Sequence, residues 1–98
     1  MTINQKSEGE KLAVSVEGRI DTKTAPELEA ALQASLDGVK ELVIDLADTV
    51  YISSAGLRVL LIAQKRMNKQ GNMTVIHAND DLMEIFEVTG FSDILTIN

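Results

Sequence analysis

Apolar and polar positions change period several times along this chain, and each change marks an element. Lys11 to Val16 alternates, with Leu12, Val14 and Val16 pointing one way and Ala13 and Ser15 the other. That is the pattern of a strand with one buried face. Thr2 to Lys6 is weakly strand-like, and Ser7-Glu8-Gly9-Glu10 between the two runs reads as a turn. The pair predicts an antiparallel hairpin. Gly18-Arg19-Ile20-Asp21 leads out of it. Thr24-Ala25-Pro26-Glu27 then has capping-box spacing, with proline in the first turn. Ala25, Leu28, Leu32 and Leu36 follow at helical spacing, and Gly38 stops the helix.

Glu41 to Leu46 is almost continuously apolar, which predicts a central strand covered on both sides. A second helix is expected over Ser54–Gln70. Leu57, Leu60, Leu61 and Gln64 mark its most buried face, Val59 and Ile62 widen it, and Gly71 is its C-cap. Asn72 to His77 reads as a strand. Asn79 caps a third helix with the stripe Leu82, Ile85 and Phe86, ended by Gly90, and Ile94–Ile97 reads as a short last strand. The order is β-β-α-β-α-β-α with a terminal β. Connections of this length join parallel strands by right-handed crossovers. The expected fold is α/β, with a mixed four- to five-stranded β-sheet packed with α-helices near Thr24–Leu36, Ser54–Gln70 and Asn79–Thr89. Leu12, Val14, Leu28, Leu32, Val43, Ile44, Leu57, Leu60, Leu61, Ile85 and Phe86 are the expected core.

Composition narrows what such a domain does. At 98 residues there is room for one domain, residues 1–98, around one modest core. Hydrophobic residues make up 45% but aromatics only 3%, so that core is aliphatic. Without cysteine there are no disulfides and no thiolate metal site. The net charge of −6 lacks the basic stripe of a nucleic-acid binder; Lys65, Arg66 and Lys69 cluster only where cations complement a helix C-terminus. Polar Asn4-Gln5-Lys6-Ser7 interrupts any signal peptide, and no apolar run approaches the ~20 residues that span a bilayer. The expected compartment is the cytoplasm, with no membrane or direct nucleic-acid partner.

Chemistry concentrates at Tyr51-Ile52-Ser53-Ser54-Ala55-Gly56-Leu57-Arg58, where a loop becomes the second helix. A helix N-terminus offers free N–H groups and the positive end of the dipole, so it tolerates a phosphate. Ala55 and Gly56 leave the hydroxyls open. A serine here can be a cap, a nucleophile or a phosphate acceptor. A nucleophile elbow needs small flanking residues, and Tyr51 and Ile52 stand there instead. His77 is the one histidine, and no serine or cysteine partner for it is implied. Asp45 in an apolar strand is expected to be a structural acceptor for N–H groups of the Asp48–Ser53 loop. No phosphate-cradling glycine loop, metal site or cofactor site is indicated.

Four segments in order now resemble one family. They are Gly18-Arg19-Ile20-Asp21, Val43-Ile44-Asp45-Leu46, Ile52-Ser53-Ser54-Ala55-Gly56-Leu57 and Val88-Thr89-Gly90-Phe91. Each is weak alone; together, at matching spacing, they look like a STAS domain of the bacterial anti-sigma factor antagonist type, from about Thr2 to Ile97. The resemblance implies a non-enzymatic partner switch in signalling to transcription. The unphosphorylated protein binds an anti-sigma factor that is also a serine kinase, and the sigma factor is released. The kinase then phosphorylates one serine at the start of the second helix, and a serine phosphatase reverses this. Aligned on Gly56-Leu57, the phosphoacceptor is Ser54. Many such antagonists carry Asp before the acceptor, where this chain has Ser53. Ser53 is expected to be the N-cap, with a role as alternative acceptor left open. Asp21, Ser53, Ser54, Gly56 and Arg58 are the expected partner-binding residues. Other jobs known for STAS modules are a stressosome-like scaffold, a lipid-transport subunit or a nucleotide sensor.

Overall fold

The computed structural model describes residues Met1–Asn98. The elements run β1 (Thr2–Glu8), β2 (Lys11–Ile20), α1 (Ala25–Ser35), β3 (Glu41–Asp45), β4 (Thr49–Ile52), α2 (Ser54–Gln70), β5 (Asn72–Ile76) and α3 (Asp80–Val88), followed by a 3₁₀ turn at Phe91–Asp93. The mixed sheet has the order β1-β2-β3-β5, with β4 joined to β2. β2 is the hub. It pairs antiparallel with β1, parallel with β3 over Lys11–Ser15, and parallel with β4 over its last residues.

Register explains the core. Leu12, Leu42 and Met73 align across β2, β3 and β5, as do Val14, Ile44 and Val75. All of these are buried, and Leu28 and Leu32 of α1, Leu60, Ala63 and Met67 of α2, and Leu82 and Phe86 of α3 join them in the core. Ala13, Ser15, Val43, Asp45, Thr74 and Ile76 share the opposite face and are only half-buried. The expectation that β3 is covered on both sides is therefore corrected. Its apolar run conceals a strand buried on one face, and Val43 is not core. Leu61 and Ile85 are likewise half-buried, because each lies at the margin of its helix's buried stripe.

Local chemistry sets the helix ends. α2 begins after Ser53, whose extended backbone and side-chain oxygen cap the helix, and stops at Gly71. Gly71 is extended, and a Cβ there would lie 1.9 Å from the Lys40 carbonyl oxygen, so the α2–β5 junction admits no side chain. Gln70 donates to the Leu36 and Val39 carbonyls, both at 2.7 Å, which ties the same end to the α1–β3 connection. α3 is capped by Asn79, which accepts the Leu82 N–H at 2.9 Å. The capping box expected at Thr24 is absent. Thr24 is in helical conformation, and its hydroxyl donates to the Arg19 carbonyl and accepts the Asp21 N–H, both at 2.8 Å. Asp21 instead accepts the Lys23 and Thr24 N–H groups at 3.0 and 3.1 Å. This is the Asx-type turn that an aspartate before a helix favours.

Two segments differ from expectation. The Asp48–Ser53 stretch contains strand β4, and Ile94–Ile97 is not a full strand. The chain end contributes one bridge, Val75 to Ile97, held by Val75 N–H to Thr96 O at 2.8 Å and Asn98 N–H to Val75 O at 2.9 Å.

Candidate functional site

The site forms where β2 and β4 end side by side. Ser53 N–H donates to the Ile20 carbonyl at 2.8 Å. That bond holds the turn into α2 against the turn into α1. The two loops carrying Asp21 and the Ser53-Ser54 pair are thus fixed to one another through backbone.

The two serines have different surroundings. Ser53 is half-buried, and its Oγ accepts the Gly56 N–H at 3.4 Å while its carbonyl accepts the Leu57 N–H at 2.9 Å. Ser54 is the first residue of α2 and is exposed, and its hydroxyl is not engaged in any hydrogen bond within the chain. No carboxylate occupies the first turn of α2. Arg58 is one turn further on, exposed and without an ion pair, on the rim of a shallow cleft that Ala55 and Pro26 also line. This arrangement leaves one hydroxyl accessible at a positive helix end, with a free guanidinium at i+4.

Gly56 faces the other way. It is buried, and a Cβ on it would lie 2.7 Å from both Ile20 Cγ2 and Ile52 Cγ1. Glycine is therefore needed so that α2 can start directly on the ends of β2 and β4.

Asp45 lies outside this site. Its Oδ1 accepts the Ala47 N–H at 2.9 Å and faces His77 Nδ1 at 2.9 Å. It therefore serves the residues just after β3 and not the Asp48–Ser53 stretch. His77 has a left-handed φ of 63°, a conformation histidine tolerates better than bulkier residues. No group of histidine and carboxylate side chains is arranged to hold a metal ion.

The carboxyls of Asp21 and Asp45 are more acidic than usual. For Asp21 the Thr24 N–H is the main cause; desolvation opposes it, and the Thr24 hydroxyl, Lys23 N–H and Arg19 add to it. For Asp45 desolvation is the largest single influence and raises the value, but the Ala47 N–H and His77 together outweigh it. A folded-state value below the unfolded one adds stability that is complete well above 3.8 and drains away as pH falls through the lowered value. The melting temperature is therefore expected to drop on acidification below about pH 4. Asp21→Asn and Asp45→Asn should each flatten that drop in a thermal-melt series, and an unchanged acid limb in both would contradict the assignment.

A family profile described as "Mlab, STAS domain" matches residues 3–96. The chain is 39% identical over 88 residues to the anti-sigma-B factor antagonist of Listeria monocytogenes, covering 86% of this chain and 75% of that protein. It is 30% identical over 87 residues to the anti-sigma-B factor antagonist of Staphylococcus aureus, covering 87% and 81%. Its fold superposes on the crystal structure of an anti-sigma factor antagonist from Mycobacterium paratuberculosis with a TM-score of 0.88 and 29% identity, covering 98% of this chain and 83% of that one.

Proposed function

We propose, for a chain that belongs to the STAS domain family and to its anti-sigma factor antagonists, that it is a partner-switching module with Ser54 as its phosphoacceptor. The unphosphorylated form binds an anti-sigma factor with serine-kinase activity and frees the sigma factor. Phosphate on Ser54 ends the complex, and a serine phosphatase restores it. The observation that carries this reading is the division between the serines: Ser53 Oγ is committed to the Gly56 N–H, whereas the Ser54 hydroxyl is exposed and unengaged. Asp21, Ser53 and Arg58 are the other partner-facing groups in this reading. The family is regulatory, and the protein's own task is binding, with the chemistry supplied by the kinase. No helix is long and apolar enough to cross a membrane, which suits a partner and a residence in the cytoplasm.

Charge explains how the switch works. Phosphoserine brings about −1.5 to −2 charges at neutral pH. At the first residue of α2 the dipole and free N–H groups favour that charge, so the fold itself is not strained. The cost falls on the complex, where a dianion must be desolvated inside an interface. Incubation with ATP and a purified anti-sigma factor kinase from the same organism is expected to place one phosphate on Ser54, mapped by mass spectrometry. Affinity should then fall at least tenfold, about 1.4 kcal/mol, with the melting temperature nearly unchanged. Phosphate on Ser53 alone, or undiminished affinity, refutes the reading.

A further inference from the structure

The pattern of β4 is anomalous for a strand. In Thr49-Val50-Tyr51-Ile52 the outer two residues are buried and the inner two are exposed, whereas a regular strand alternates. The ladder with β2 supplies the cause. Gly18 pairs with Thr49 and Arg19 with Tyr51, so Val50 has no partner and the register shifts by one residue. Gly18 has a φ of 100°, a conformation glycine adopts easily. The result is a β-bulge, rare in a parallel pair, and bulges re-aim side chains next to functional sites. Here the bulge turns Val50 outward, 62% exposed, beside Tyr51 at 37%. The Arg19 guanidinium lies over the Tyr51 ring, 4.3 Å from its centroid, with its Nε 3.8 Å from Asp21 Oδ2.

We propose that Val50, Tyr51 and Arg19 form the anchor by which the partner of the Ser54 site is held. This inference rests on the reading of Ser54 given above and adds residues outside the serine turn. Single exposed apolar residues are ordinary. This group differs in continuity and kind. Tyr51 is three residues before Ser54 on a strand that runs straight into the turn, and Arg19 joins it to the Asp21 loop. An aromatic ring and an arginine are the residue types that dominate binding hot spots. The exposed Val88 lies in α3 and the exposed Ile94 follows the 3₁₀ turn, so neither is continuous in sequence with the serine turn. The occupant is the anti-sigma factor itself. Its matching surface is an apolar hollow that takes a valine and a tyrosine ring, rimmed by carboxylate or carbonyl groups for Arg19. Such an arrangement also accounts for the switch: a phosphate on Ser54 arises at the edge of an apolar contact, where its desolvation costs most.

The experiment measures affinity by calorimetry between a purified anti-sigma factor kinase from the same organism and wild-type protein, Tyr51→Ala, Val50→Ala, Arg19→Gln, a Val50→Ala/Tyr51→Ala double variant and, as an exposed apolar control, Val88→Ala. The double variant is expected to bind at least about tenfold more weakly. Its melting temperature should match wild type, and Val88→Ala should bind as wild type. If truncation disturbs folding, Tyr51→Phe with Val50→Thr keeps the strand and still weakens binding by making one anchor polar. Wild-type binding with a double variant within about twofold of it overturns the anchor while leaving the Ser54 reading in place. Wild-type protein that does not bind the kinase overturns both. Loss in the double variant of a dimer seen by sedimentation, with kinase binding intact, assigns the surface to a second copy of this chain and also overturns the proposal.

Discussion

A Leu60→Ala variant is expected to lose about 2–5 kcal/mol of stability, whereas Leu61→Ala, its immediate neighbour, should lose much less. Leu60 is fully buried under α2, with Leu57, Ala63 and Met67 on the same face. Truncating it leaves a cavity beneath α2 that the close-packed elements around the helix, α1, β4 and β5, cannot fill by relaxing. Leu61 is turned by one residue's rotation and is half-exposed, so part of its surface is already in water and its loss creates no sealed void. A domain of this size has about 5–15 kcal/mol in total, so the first change consumes a large share of it. Urea denaturation of both variants decides the matter through the midpoint, provided the slope is unchanged. Equal losses would show that the buried face of α2 is rotated from the one described.

The difference between those two leucines also shows what the sequence could and could not reveal. Helix α2 was legible to the residue, because its cap Ser53 and its terminator Gly71 are local signals with local causes. The face it buries was legible only approximately: Leu57, Leu60 and Leu61 look alike in a pattern, and the neighbours that decide among them are distant in sequence. The strand β3 reads as doubly covered because Leu42, Val43 and Ile44 are all apolar, yet the outer row, with Ala13 and Thr74 beside Val43, is left half-open. Strand β4 was invisible for a specific reason. Its bulge puts two residues outward in succession, and a search for period two rejects such a run. Thr24 shows the converse error, where correct spacing for a capping box was used by an Asx turn centred on Asp21. Gly56 carries no sequence mark that separates a glycine opened to a partner from one pressed against Ile20 and Ile52. Within the site, the serine pair was legible from the strand-to-helix transition. The Val50, Tyr51 and Arg19 group was not, because it depends on a register shift between two strands far apart in the chain.

The two serines should separate cleanly when each is changed. Ser54→Ala is expected to abolish phosphorylation and retain partner binding, giving an antagonist that cannot be switched off, because a methyl group fits the exposed first position of α2 and adds no charge. Ser54→Asp should mimic the phosphorylated form only in part, since a carboxylate carries one charge and reaches less far than a phosphate. Ser53→Ala should act through structure. It removes the side-chain oxygen that accepts the Gly56 N–H, and losing an N-cap costs about 0.5–2 kcal/mol. The bond's 3.4 Å length places the expected loss toward the lower end of that range. Phosphorylation at Ser54 should persist in this variant. Ser53→Asp should keep the cap, because aspartate accepts the same N–H, and its charge suits the positive end of the helix. Kinase labelling and thermal melts on all four variants give a two-by-two answer: position 54 moves labelling without moving stability, and position 53 moves stability without moving labelling. Labelling lost in Ser53→Ala at unchanged stability, with Ser54→Ala still labelled, would reverse the two assignments, since the capping serine would then be the one the kinase reaches.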